Sequence, residues 1–213
     1  MKKLYLPLVF LLALSGAGCW PGIHGNGRIV EDKRPTADFS DVKAGGVFEI
    51  DWQPGPPSLT IKTDSNLLKY IDNRVEGKTL RLESHENLRP TRRIKVFLTS
   101  PVFNGASFSG AGRLKATRLA GPKFYLETSG ASHIELAGTV DDLIGEMSGA
   151  TKLDAQDLHT KNADIDMSGA AKARVYASET LRISISGAGK VTYFGHPKVE
   201  RHISGAGSIN PGD

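Results

Sequence analysis

The chain has 213 residues, with 27 Lys+Arg against 23 Asp+Glu, a single Cys and 39% hydrophobic content. That length carries one substantial core, or two small ones, without staples. The composition excludes bulk disorder, and one cysteine excludes both an intramolecular disulfide framework and a multi-thiolate metal site. A formal net charge of +4 argues for an anionic partner only if the charges lie in the folded part.

Lys2 and Lys3 precede an apolar run from Leu4 to Leu14, which leads into Ser15-Gly16-Ala17-Gly18-Cys19. The run is too short to span a bilayer as a helix, and the pattern predicts that residues 1–18 are an export signal. Cys19 stands where a lipoprotein signal places the cysteine that becomes the lipidated first residue, although Gly16 occupies the place where that pattern usually has Leu. Cleavage after Ala17 by the ordinary signal peptidase, leaving a free thiol, is the alternative; lipidation accounts for an exported cysteine that has no partner. Loss of residues 1–18 removes two lysines and no acid, so the charge falls to +2. A nucleic-acid partner thereby loses its main support. The expected location is the bacterial periplasm or outer membrane.

Trp20 to Gly27 has no core pattern and reads as a tether, which places a single domain at 28–213. Its first part, 28–104, alternates apolar and polar residues in Val47–Trp52, Ser58–Lys62, Thr79–Glu83 and Arg93–Leu98, the period of strands with one buried face. Gln53–Pro57 is a turn between two of them. Asn66 to Glu76 alone has helical spacing, through Leu67, Leu68, Ile71 and Val75, with Gly77 beyond its end; one short helix is expected there. Arg89, Arg92, Arg93 and Lys95 form a basic patch at a loop-to-strand junction, which reads as edge protection or ordinary solvation. Beside a membrane it would meet anionic headgroups, but nothing in the sequence places it there.

From residue 105 the triplet Ser-Gly-Ala recurs six times, at Ser109, Ser129, Ser148, Ser168, Ser186 and Ser204, spaced by 20, 19, 20, 18 and 18 residues. Five residues after each serine stands an apolar residue (Leu114, Ile134, Leu153, Ala173, Val191, Ile209), followed by a polar residue. A second apolar position recurs near Leu119, Val140, Leu158, Leu181 and Val199. Strand alternation within a period this short predicts the coils of a parallel β-solenoid, their equivalent residues stacked ~4.8 Å apart. Glycine then turns each corner. Ala and the small residue after it keep that corner narrow, and the serine has the local backbone or the next rung's serine as a partner.

Six copies of one serine without a G-x-S-x-G elbow argue for architecture, so no nucleophile is assigned. Gly187-Ala188-Gly189-Lys190-Val191-Thr192 lacks the upstream Gly and the following helix of a phosphate loop, and the other Gly-Ala-Gly runs lack a βαβ unit. The six histidines are scattered, and Asp154, Asp157, Asp164 and Asp166 belong to no calcium-binding repeat. No catalytic residue, cofactor or metal is therefore expected. One constellation remains. Four residues after the serines stand Arg113, His133, Lys152, Lys172, Lys190 and Ser208, a basic stripe if the coils stack in register. Such a stripe needs compensation, for which Glu135, Asp154, Glu127, Glu146 and Asp166 are candidates. It reads either as a charge-balanced edge or as a seat for a linear anionic ligand such as an acidic polysaccharide or lipopolysaccharide phosphates.

Gly25-Asn26-Gly27, Phe39 through Val47–Ile50, Asp64–Ile71, Gly77–Leu82 and the serial Ser-Gly-Ala coils together resemble the GIN domain family, the head domain of auto-transporter adhesins. The resemblance implies an all-β, right-handed parallel β-helix and an adhesive or ligand-binding role, and it brings no catalytic motif. The expectation is a non-enzymatic, lipid-anchored envelope protein whose partner is an anionic glycan or another envelope component. Homotypic association through the solenoid ends is a further possibility. A polysaccharide-acting enzyme on a β-helix and a purely structural spacer are the alternatives.

Overall fold

The structure, a computed structural model, describes residues 22–212. The signal segment and Cys19 lie outside the described residues. Within them the chain is a β-solenoid of about five turns. Each coil has one side that ends at the Ser-Gly corner and a second that begins just after it.

Register along both sides is strict. The six serines stand opposite one another in succession, and so do Leu114, Ile134, Leu153, Ala173, Val191 and Ile209. Parallel pairing puts like over like, so the alternation within one coil buries the same face in all of them. The second recurring apolar position splits into three rows rather than forming one. Phe124, Leu143, Ala163, Leu181 and Val199 share a row, Leu119 and Leu158 lie in register on either side of Gly138, and Val140 stands between Gly121 and Thr160. The coils differ in length, and the register shifts by a bulge between Ala116 and Leu119 and again between Glu135 and Ala137.

The Ser-Gly-Ala corner has a backbone cause. All six triplet glycines have φ between 97° and 128°, and the following alanine donates its N–H to the glycine carbonyl of the coil before, as in Ala170 to Gly149 at 3.0 Å. A Cβ on Gly169 would stand 2.8 Å from that same carbonyl oxygen, so the corner needs glycine for its φ and for its close approach. The small residue after Ala is limited by the interior, not by its own copy: a Cβ on Gly112 would collide with the Phe108 ring. The serine hydroxyls are exposed, and among the described residues no hydrogen bond joins any of them to backbone or to another serine. They are tolerated on the outside of the corner rather than required to hold it.

The N-terminal half contributes two further rungs, out of chain order. Asp41–Gly46 and Phe48–Pro54 lie directly against the first repeat coil. Thr79–Ser84 and Ile94–Ser100 stack on their far side, all in parallel. Antiparallel strands close this end, with Ile71–Glu76 on one side and Ser58–Asp64 followed by Ile29–Arg34 on the other. Trp52 stacks on Phe103 at 4.9 Å, Phe103 meets Phe124 edge-on at 5.4 Å, and Trp52 Nε1 donates to Ser100 Oγ at 2.8 Å. Large rings thus plug the core where the two halves meet.

Two sequence-based readings change here. The helical spacing over 66–76 yields only a 3-10 turn at Leu68–Tyr70, and Ile71–Glu76 is a strand. Ile71, Asn73 and Val75 also alternate, and the two-residue turn at Gly77, with φ 62°, makes a hairpin with Thr79–Ser84 that a helix could not form. Residues 22–27, read as tether, are seated on the domain. Ile23–His24 pairs with Leu88–Arg89, and the Gly27 N–H donates to Asp64 Oδ1 at 2.7 Å.

The opposite end is open. Among the described residues Lys198–Gly205 pairs only with Thr180–Gly187, and its residues are mostly exposed, Ile203 to 39%.

Candidate functional site

The basic stripe exists as geometry. Arg113, His133, Lys152, Lys172, Lys190 and Ser208 are consecutive register partners, one per rung. Each alternates with a buried neighbour such as Leu114, Leu153 or Val191, which turns the stripe outward. At the strand spacing its members lie ~4.8 Å apart. The row continues beyond the repeats, since Arg113 faces Glu49, Glu49 faces Lys95, Lys95 faces Lys62 and Lys62 faces Glu31. The flanking pattern held the signal for this extension. Counted from Gly45, the register partner of Ser109, Ile50 and Trp52 occupy the apolar positions and Asp51 the polar one between them. A search keyed to the triplet passes over that coil because Gly45 replaces the serine.

Compensation along the stripe is uneven. At the N-terminal end Lys62 pairs with Glu31 at 2.7 Å and Lys95 with Glu49 at 3.6 Å, and His133 Nε2 lies 3.1 Å from Glu135. Asp154 stands in the neighbouring row, but it binds Arg174 at 3.3 Å, and that guanidinium also lies 5.6 Å from the Phe194 ring. Glu127, Glu146 and Asp166 stack with one another across the corner, and Ser107 Oγ donates to Glu127 at 2.9 Å. Burial, reinforced by the carboxylates of Glu146 and Glu127, raises the Tyr125 phenol above its ordinary pKa, so it stays protonated beside that acidic row. None of these acids reaches the stripe's lysines. Among the described residues Arg113, Lys152, Lys172 and Lys190 form no ion pair. The C-terminal part of the stripe is therefore three stacked, exposed lysines that repel one another and that no ion pair among the described residues offsets.

The remaining candidates resolve by their contacts. Asp164 is held by Arg182 at 3.2 Å, and Arg182 also reaches Glu200 at 3.6 Å, so these groove charges are paired with one another. His85 bonds Asp72 at 2.5 Å, and His159 packs edge-on against Tyr176 at 4.6 Å. Among the described residues no three His, Cys, Asp or Glu side chains converge as a metal site would require. Gly187-Ala188-Gly189 is a solenoid corner, with strands on both sides.

Residues 38–197 match a family model described as "Putative auto-transporter adhesin, head GIN domain". Among solved structures, a putative adhesin from Bacteroides fragilis superposes with a TM-score of 0.73 at 22% identity, covering 89% of this chain and 100% of the other. A putative adhesin from Parabacteroides merdae gives 0.55 at 17% identity, covering 90% and 99%. One from Parabacteroides distasonis gives 0.54 at 18%, covering 89% and 99%. At these identities the likeness is one of fold. No curated protein matches the chain.

Proposed function

The chain belongs to the GIN domain family of auto-transporter adhesin heads, and on that premise we propose that it is a non-enzymatic, lipid-anchored envelope protein that binds a linear acidic polysaccharide along its basic stripe. Cys19 is the anchor in this reading. The observation that carries it is the run Lys152, Lys172 and Lys190: one exposed cation per rung, in register, with no carboxylate partner among the described residues. A stacked row of like charges is unfavourable by itself, and a polyanion lying along it supplies the missing counter-charge. Arg113 and His133 prolong the row toward the N-terminal end.

The test measures binding of the full chain to polygalacturonate, with a neutral glucan as control, at low and high salt. Lys152→Glu with Lys172→Glu is expected to weaken polygalacturonate binding at least tenfold, and salt is expected to weaken wild-type binding through screening. Unchanged affinity in the reversed variant overturns the stripe as the binding surface. Release of new sugar ends by the wild type, abolished by a point substitution, overturns the non-enzymatic reading.

A further inference from the structure

The basic patch around Arg89 acquires a position that the sequence could not supply. Ile23–His24 pairs in parallel with Leu88–Arg89, and Gly22 packs against the Asn87 carbonyl and the Arg89 side chain. The domain therefore begins against this loop, only three residues after Cys19. Three residues reach about 10 Å when extended. A group attached at Cys19 thus stays close to the loop.

The loop is strongly cationic. Arg89, Arg92 and Arg93 are exposed, and Glu86 is the only acid between Ser84 and Lys95. Arg28 joins them: its carbonyl accepts from the Ser65 N–H at 2.9 Å, next to Asp64, whose carboxylate binds both Gly27 and Thr91. Asp64 is fully buried and spends its charge on those donors, so it neutralises the backbone there rather than the arginines. Among the described residues none of the four arginines forms an ion pair.

We infer that Arg28, Arg89, Arg92 and Arg93 form a docking surface for an anionic phospholipid bilayer, which seats the closed N-terminal end of the solenoid on the membrane and holds the open end away from it. The inference rests on the Cys19 anchor proposed above. Charge complementarity and the place where the chain joins the domain select this occupant: an anchored chain delivers this loop, and no other cationic surface described above, to the headgroups. The lipid anchor attaches the chain, and the adjacent basic patch decides which face of the domain meets an anionic surface. With each arginine near an anionic surface shifting the equilibrium about fivefold, the three loop arginines together shift the docked population on the order of a hundredfold.

Hydrogen exchange of the full chain reconstituted into vesicles tests this directly. On phosphatidylcholine vesicles containing phosphatidylglycerol, the amides of 85–93 are expected to exchange more slowly than on phosphatidylcholine alone, while 198–205 exchange equally on both. Arg89→Ser/Arg92→Ser/Arg93→Ser is expected to abolish the difference and the corresponding triple lysine variant to retain it, with unchanged exchange across 152–169 showing that both remain folded. Equal exchange of 85–93 on the two vesicles, or protection that persists in the triple serine variant, overturns the docking surface. The anchor is read separately from the mass of the Cys19 peptide after expression in a bacterial membrane. An unmodified Cys19 overturns the anchor alone, because the charge-dependent protection is measured on the same vesicles without reference to it.

Discussion

Asp64 and Thr91, 27 residues apart, are joined by two hydrogen bonds to the two oxygens of one buried carboxylate. The Thr91 N–H donates to Oδ2 at 2.9 Å and its hydroxyl to Oδ1 at 2.8 Å. The Gly27 N–H adds a third donor at 2.7 Å, and Gly25 packs so tightly on the carboxylate that a Cβ would collide with it. One side chain thus holds the segment 25–27 and the arginine loop to the solenoid. Asp64→Ala leaves these donors without an acceptor and is expected to cost about 3 kcal/mol, measured by urea unfolding.

The same carboxylate sets a pH dependence. Burial raises its pKa, but the bonds from Thr91 and Gly27 outweigh burial and leave it below the ordinary aspartate value. A depressed folded-state pKa contributes stability that is present above the unfolded-state pKa, about 3.9, and is lost as pH falls through the folded one. Acid titration is expected to release segment 22–27 below about pH 4, seen as faster amide exchange there. Asp64→Asn is expected to remove that pH dependence.

Glycine and serine of the same triplet are expected to respond in opposite ways. Gly169→Ala places a Cβ at φ 110° against the Gly149 carbonyl, and should cost about 2 kcal/mol or more through backbone strain. Ser168→Ala removes an exposed hydroxyl that has no partner and should stay within about 0.5 kcal/mol. Thermal melts of the two variants check both.

Relieving the lysine row should stabilise the fold while weakening ligand binding. Lys172→Gln removes two like-charged contacts in register, with Lys152 and Lys190, and is expected to gain about 0.5 kcal/mol at low salt. Screening at 1 M salt, where the Debye length is about 3 Å, should erase the gain.

Arg201 occupies the place on the last rung that Ile183, 0% exposed, occupies on the rung before. An inward-facing charge on an unpaired edge strand opposes the addition of another strand. Arg201→Ile completes an apolar row with Val199 and Ile203 and is expected to produce end-to-end association, read by sedimentation velocity. A variant that sediments as the wild type does would show that something other than Arg201 protects this end.

The repeat coils were legible because their constraint is local and recurrent. Stacking like over like requires the same small, apolar and polar choices every 18–20 residues, and the triplet prints that requirement six times. The coil through Gly45-Gly46 was less visible because it lacks the serine, which the fold does not use. The helix expected over 66–76 failed because Ile71 and Val75 satisfy both periods, and only pairing with Thr79–Ser84 decides between them.

By itself, then, the amino-acid sequence determined the coil, its register and the outward row of Arg113, His133, Lys152, Lys172 and Lys190, since each follows from spacing along one chain. The tertiary structure alone decided which charges in that row stay free. Asp154 has to choose between Lys152 on its own strand and Arg174 on the next, and cross-rung distance and the Phe194 ring draw it to Arg174. It also decided that the chain joins the domain beside Arg89, because residues 23–24 and 88–89 meet only through backbone pairing and a buried aspartate. Contacts between segments far apart in the chain leave no period to read, and in this protein they determine which surfaces remain available to a partner.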